Sequence, residues 1–121
     1  MSADHEYLKN KHILVIKPIL MLRIQSSVEA MQRAVELINQ YNCHNVLCDF
    51  RYIDINFTIT TAIQRPKMWH QLGLPKGIKI AGLFNEINDD IIMRTNTMFS
   101  SGFHVTTYTD YDKAISWLSK K

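Results

Sequence analysis

Glycine, cysteine and proline are scarce in this chain, and the first two shortages each close off a class of function. Only 4 of its 121 residues are glycine, and neither a phosphate-cradling glycine loop nor a nucleophile elbow is present. Its 2 cysteines, Cys43 and Cys48, cannot define a disulfide framework. With His44 they suggest metal ligands, but structural zinc takes four ligands at spacings such as Cys-x-x-Cys, and Cys48 falls inside an apolar run. A nucleophilic arrangement drawn from Cys48, His70 and Asp49 has nothing local to activate it. No metal, cofactor or enzymatic activity is expected.

Long apolar runs are missing as well. The segment from Ile13 to Ile24 is strongly apolar, but Lys17, Pro18 and Arg23 interrupt it. It is too short to span a bilayer and starts too far in for a typical signal peptide. A cytoplasmic protein without a transmembrane segment is the expectation. The net charge is only +3, from 14 basic and 11 acidic residues, with Lys and Arg scattered along the chain. That pattern is a solvated surface and no electrostatic footprint for nucleic acid. A basic amphipathic helix for an acidic membrane is absent too.

What the chain does contain is one domain's worth of patterned apolar residues. An apolar fraction of 46% and a charged fraction of 21% are those of a globular protein. We read residues 1–121 as a single domain, with the polar, mixed-charge residues 1–10 frayed. Val46-Leu47-Cys48 is a short apolar run followed at once by Asp49 and Arg51, as in a strand buried on both faces at the centre of a parallel sheet. Upstream, His12–Ile16 and Ile19–Ile24 read as two strands, or as one strand bent at Pro18. Ser26 or Ser27 with Glu29 has capping-box spacing, and Val28, Met31, Val35, Ile38 and Tyr41 then recur at helical period. Downstream of the central run, Thr58 to Leu72 is a helical region broken at Pro66, with Trp69 and Leu72 turned inward. Ile78–Phe84 is a strand, Ile91, Thr95, Met98 and Phe99 trace a helix stopped at Gly102, and Phe103–Tyr108 is a strand. Asn85 to Asp90 caps the first of the closing helices. Thr109 with Asp110 or Asp112 caps the last, where Tyr111, Ala114, Ile115 and Leu118 face inward. Alternation of this kind implies an α/β fold with a mostly parallel sheet and right-handed crossovers.

The strand ending in Leu-Cys-Asp-Phe, the long loop, the Trp-bearing helix, the strand Ile-Lys-Ile-Ala-Gly-Leu-Phe and the closing Ala114-Ile115-Ser116-Trp117-Leu118 resemble the SpoIIAA-like proteins. These are bacterial relatives of the STAS domain of anti-sigma-factor antagonists. The resemblance runs from Ile13 to Leu118. It implies a four- or five-stranded sheet with an antiparallel N-terminal strand, and about four helices packed largely on one face. It also implies a non-enzymatic, regulatory or ligand-binding role in a bacterial cytoplasm. In antagonists of this kind a serine at a helix start is the phosphorylation switch. The matching position here is Thr58, although Phe57 stands where the acidic residue would be, and Ile59 and Thr60 replace the small residues. A phosphate at Thr58 would meet free amides and a favourable dipole; plain capping by Thr58 is the alternative.

The candidate binding group is Asp49, Arg51, Asn85 and Glu86. Ligands of parallel sheets collect outside the carboxyl ends of strands, and these residues follow two strands expected to be neighbours. An Asp–Arg ion pair that only holds the loop is weighed above a ligand site. Trp69, with Met68 and Leu72, is a further candidate: a loose apolar helix able to cover a small apolar or lipid-like ligand, or to dock on a partner, if it is not simply core. The leading expectation is protein–protein interaction, homodimerisation included, through the loop from Arg51 to Pro66. Carriage of an apolar ligand is the alternative, followed by an unrecognised enzyme using Asp49 and Arg51.

Overall fold

Val46, Leu47 and Cys48 do form the middle of a sheet. The structure, a computed structural model, describes residues 3–18, 24–51, 67, 69, 71–75, 77–100 and 102–120. In chain order the elements are β1 (Ala3–Leu8), β2 (Ile13–Pro18), α1 (Ile24–Tyr41), β3 (Asn45–Asp49), β4 (Lys79–Leu83), α2 (Asp89–Ser100), β5 (His104–Tyr108) and α3 (Tyr111–Ser119). Lys67, Trp69 and Gln71 are also helical. The strands lie side by side in chain order. β1 runs antiparallel to β2, and the β2–β3, β3–β4 and β4–β5 pairs are parallel. No helix among the described residues is long and apolar enough to cross a membrane.

Successive side chains of a strand point to opposite faces, and both faces of this sheet are covered. Leu14, Ile16, Val46 and Ile80 pack with Met31, Val35 and Ile38 of α1. Ile13, Val15, Leu47, Ala81 and Leu83 pack with Ala114, Ile115 and Leu118 of α3. Hence Val46–Cys48 of β3 and Ile80–Leu83 of β4 read as apolar runs with no polar alternation. The helices are not all on one face, since α3 closes the side opposite α1 and Trp69.

The amino-terminal expectations are corrected. Residues 1–10 are not simply frayed, because Ala3–Leu8 is an edge strand in register with β2, Tyr7 opposite Leu14 and Leu8 opposite Ile13. The antiparallel partner of β2 is thus upstream of it, and Ile24 belongs to α1. Ser26 and Ser27 lie within that helix, two or three residues past its start, and do not precede it. β1 escaped notice because its sequence, Ala-Asp-His-Glu-Tyr-Leu, carries charge on a strand whose order comes from pairing across the hairpin.

Other caps follow the expected chemistry. Asn88 Oδ1 accepts from the Ile91 amide at 3.0 Å at the start of α2, and Asp110 accepts from the Lys113 amide at 3.1 Å at the start of α3. Gly102 takes φ +97° and donates to the Phe99 carbonyl, ending α2. Two aromatics expected in apolar helix stripes stand out: Phe99 is 64% exposed, and Tyr41 is at the exposed margin but stacks flat on Tyr7 at 4.1 Å.

Candidate functional site at the carboxyl rim of the sheet

Asp49, the last residue of β3, is the one charged side chain buried among the described residues. It shares the face of Leu47, on the α3 side of the sheet. Burying a lone carboxylate is costly, so it must be paired and hydrogen-bonded. Arg51 does both: its Nε donates to Oδ1 and its Nη2 to Oδ2, each at 2.9 Å, and its backbone amide donates to Oδ1 at 3.2 Å. This is the two-pronged geometry in which arginine meets carboxylate best. The guanidinium also lies 5.9 Å from the centroid of the Tyr111 ring, in the first turn of α3.

The backbone ties the same region to β4. The Phe50 amide donates to the Leu83 carbonyl at 2.8 Å, extending the ladder one step past β3. The Asn85 side-chain amide then donates to the Arg51 carbonyl at 2.6 Å. The chains leaving β3 and β4 are therefore fastened together at one rim. On the α1 side of that rim, the rings of Phe50 and Phe84 stack at 5.1 Å. Gly82 makes room for this, since a Cβ there would stand 2.8 Å from a Phe84 ring carbon.

Burial pushes the Asp49 pKa up, but the hydrogen bonds and charge of Arg51, aided by the charge of Lys17, outweigh it and hold the carboxyl below its ordinary value. Asp49 is thus ionised near neutrality with both oxygens occupied by Arg51. A carboxylate in that state is a structural anchor, poorly placed to take a proton from a substrate.

Of the sequence candidates, the structure brings together Asp49, Arg51 and Asn85. Glu86 follows on the same rim, exposed and in no ion pair among the described residues. Trp69 does not join them. It is buried on the α1 side with Ile38, Leu74 and Ile78, on the sheet face opposite Asp49, and its carbonyl accepts from the Leu74 amide. Thr58 and the loop beyond Arg51, with Met68, His70 and Pro66, lie outside the described residues. Cys43 is buried, its thiol donating to the carbonyls of His12 and Asn45, while Cys48 sits at the far end of β3. Among the described residues no three His, Cys, Asp or Glu side chains gather as a metal site.

Sequence reasoning missed Lys17 and Tyr111. Lys17 belongs to the rim because β2 runs parallel to β3, with Ile16 beside Cys48. Tyr111 reaches Arg51 because α3 folds back over β3 and β4; its place right after the Asp110 cap was the available signal. Compared with known proteins, the chain matches no family model and no curated protein.

Proposed function

We propose that this chain is a non-catalytic regulatory or protein-interaction module of the STAS-related type in the bacterial cytoplasm, with the carboxyl rim of β3 and β4 as its docking platform. The observation that carries the reading is the double fastening of Arg51. Its side chain saturates the buried Asp49, and its carbonyl is held by Asn85. A group so fully engaged is built to fix the point where the chain leaves β3 and to present the segment that follows. It is not arranged for turnover. The five-stranded mixed sheet, with an antiparallel β1–β2 pair ahead of parallel strands, agrees with the SpoIIAA-like resemblance. Trp69 supports the carrier alternative less well, because its ring is part of the core beneath α1.

A photoreactive side chain introduced at Glu86, exposed on this rim, tests the proposal in bacterial lysate. One discrete crosslinked protein is expected, and Asn85→Ala is expected to weaken its capture while the fold is kept. The same capture from Glu36, an exposed residue on α1, would overturn the reading, as would no discrete product from Glu86.

A further inference from the structure

The two edges of the sheet are chemically unlike. β1 carries Asp4, His5 and Glu6, the kind of charged edge that discourages pairing with another sheet. β5, His-Val-Thr-Thr-Tyr, has no Asp, Glu, Lys, Arg or Pro, and among the described residues no strand pairs with its outer side. The Phe84 amide donates to the Tyr108 carbonyl, so Tyr108 turns its backbone groups toward β4. In a parallel ladder Thr106 does the same, which leaves the amides and carbonyls of Val105 and Thr107 pointing outward.

Beside this open edge, α2 exposes two large apolar side chains two turns apart, with the polar Thr95 and Asn96 between them. Ile91 faces the interior, whereas Ile92 is 48% and Phe99 64% exposed. At about 100° per residue, Ile92 and Phe99 fall together a quarter-turn round the helix from Ile91. A right-handed crossover from β4 to β5 aims that quarter outward, past β5.

The geometry points to a homodimer formed by antiparallel pairing of β5 with β5 of a second copy, about a twofold axis beside Thr106. Val105 of one copy then faces Thr107 of the other as a hydrogen-bonded pair, twice over, for about four backbone bonds, with Thr106 meeting its own counterpart between them. The outward groups of the strand are in register with themselves under this operation, and no like charges meet. The same operation on β1, about His5, would bring Asp4 of each copy against Glu6 of the other, like charge against like. A perpendicular twofold keeps α2 of both copies on one face of the joined sheet, so Ile92 and Phe99 pack against their counterparts. Strand pairing alone buries less than the roughly 1,600 Å² of a standard interface, and these two side chains supply further area. The inference is independent of the Arg51 rim and stands or falls without it.

Sedimentation velocity on the full chain tests it. The expected mass is twice the 14.1 kDa of one chain. Phe99→Asp places charge on an exposed α2 position that the second copy would cover, and Val105→Pro deletes an outward amide without touching the β4–β5 bonds. Each is expected to return the monomer with an unchanged circular dichroism spectrum. If Val105→Pro fails to fold, Phe99→Asp decides alone. A wild-type monomer at the highest soluble concentration, or a dimer that survives Phe99→Asp, would overturn the inference.

Discussion

Replacing Arg51 by Ala removes two charge-assisted hydrogen bonds from Asp49 and leaves only the backbone amide of residue 51 on Oδ1. Breaking a buried ion pair by deleting one partner costs about 3–5 kcal/mol, because the remaining charge stays buried. The Arg51 side chain is 27% exposed and that of Asp49 is 0% exposed, so water enters the space the guanidinium leaves but reaches the carboxylate poorly. The low end applies, about 3 kcal/mol, a large part of the roughly 5–15 kcal/mol that stabilises a domain. In a chain of this size that lowers the thermal midpoint by roughly 10 °C. Urea unfolding followed by Trp fluorescence and circular dichroism reads the change directly.

The same variant has a signature in pH. The folded pKa of Asp49 is lowered, so the pair contributes fully above the unfolded value of about 3.9 and is lost as pH falls through the folded value. Without Arg51, burial is left as the larger influence and the carboxyl titrates higher. The gap between wild type and Arg51→Ala is therefore widest near neutrality and narrows in acid. The double replacement Asp49→Leu with Arg51→Met removes both charges, and is expected to recover most of the loss. A neutral-pH cost for Arg51→Ala below about 1 kcal/mol, the worth of an exposed pair, would refute the argument. So would a gap that does not narrow in acid.

Three other perturbations follow from contacts elsewhere. Gly82→Ala forces a methyl against the Phe84 ring where it stacks on Phe50, and is expected to cost about 1–3 kcal/mol in urea unfolding; a neutral result would mean that the two rings shift freely. Asp110→Ala removes the cap of α3 and should lower stability by about 1 kcal/mol, with Asp110→Asn largely restoring it. Lys79 Nζ donates to the carbonyls of Trp117 at 3.3 Å and Lys120 at 2.7 Å, and lies 5.3 Å from the centre of the Trp117 ring. Lys79→Met should accelerate amide exchange in the last turn of α3, at a cost of about 0.5–1 kcal/mol; unchanged exchange there would show that the helix end holds without it.

By itself, the sequence determined the elements whose signals are local. The unbroken run Val46-Leu47-Cys48 marked a strand covered on both faces, the spacing of Met31, Val35 and Ile38 marked α1, and the residues around Asn88, Gly102 and Asp110 marked helix ends. Each of these signals comes from a period or a cap that a few neighbouring residues complete. The nearness of Asp49, Arg51 and Asn85 was legible too, because parallel strands deliver their carboxyl ends to one rim.

Only the tertiary structure decided what depends on pairing between distant segments. Ala3–Leu8 is a strand because β2 lies beside it, not because its mixed residues favour one. Trp69 was expected to turn inward, and which partners close around it, Leu74, Ile78 and α1, was not legible; Phe99 is exposed because a quarter-turn of α2 extends past the last strand. The Asp49–Arg51 ion pair was already the favoured reading of the chain, but its two-pronged geometry and the full burial of its carboxylate were not. The buried carboxylate at the end of β3 decides that geometry: a charge removed from water draws in the nearest guanidinium, and that burial exists only once α3 has folded across the sheet.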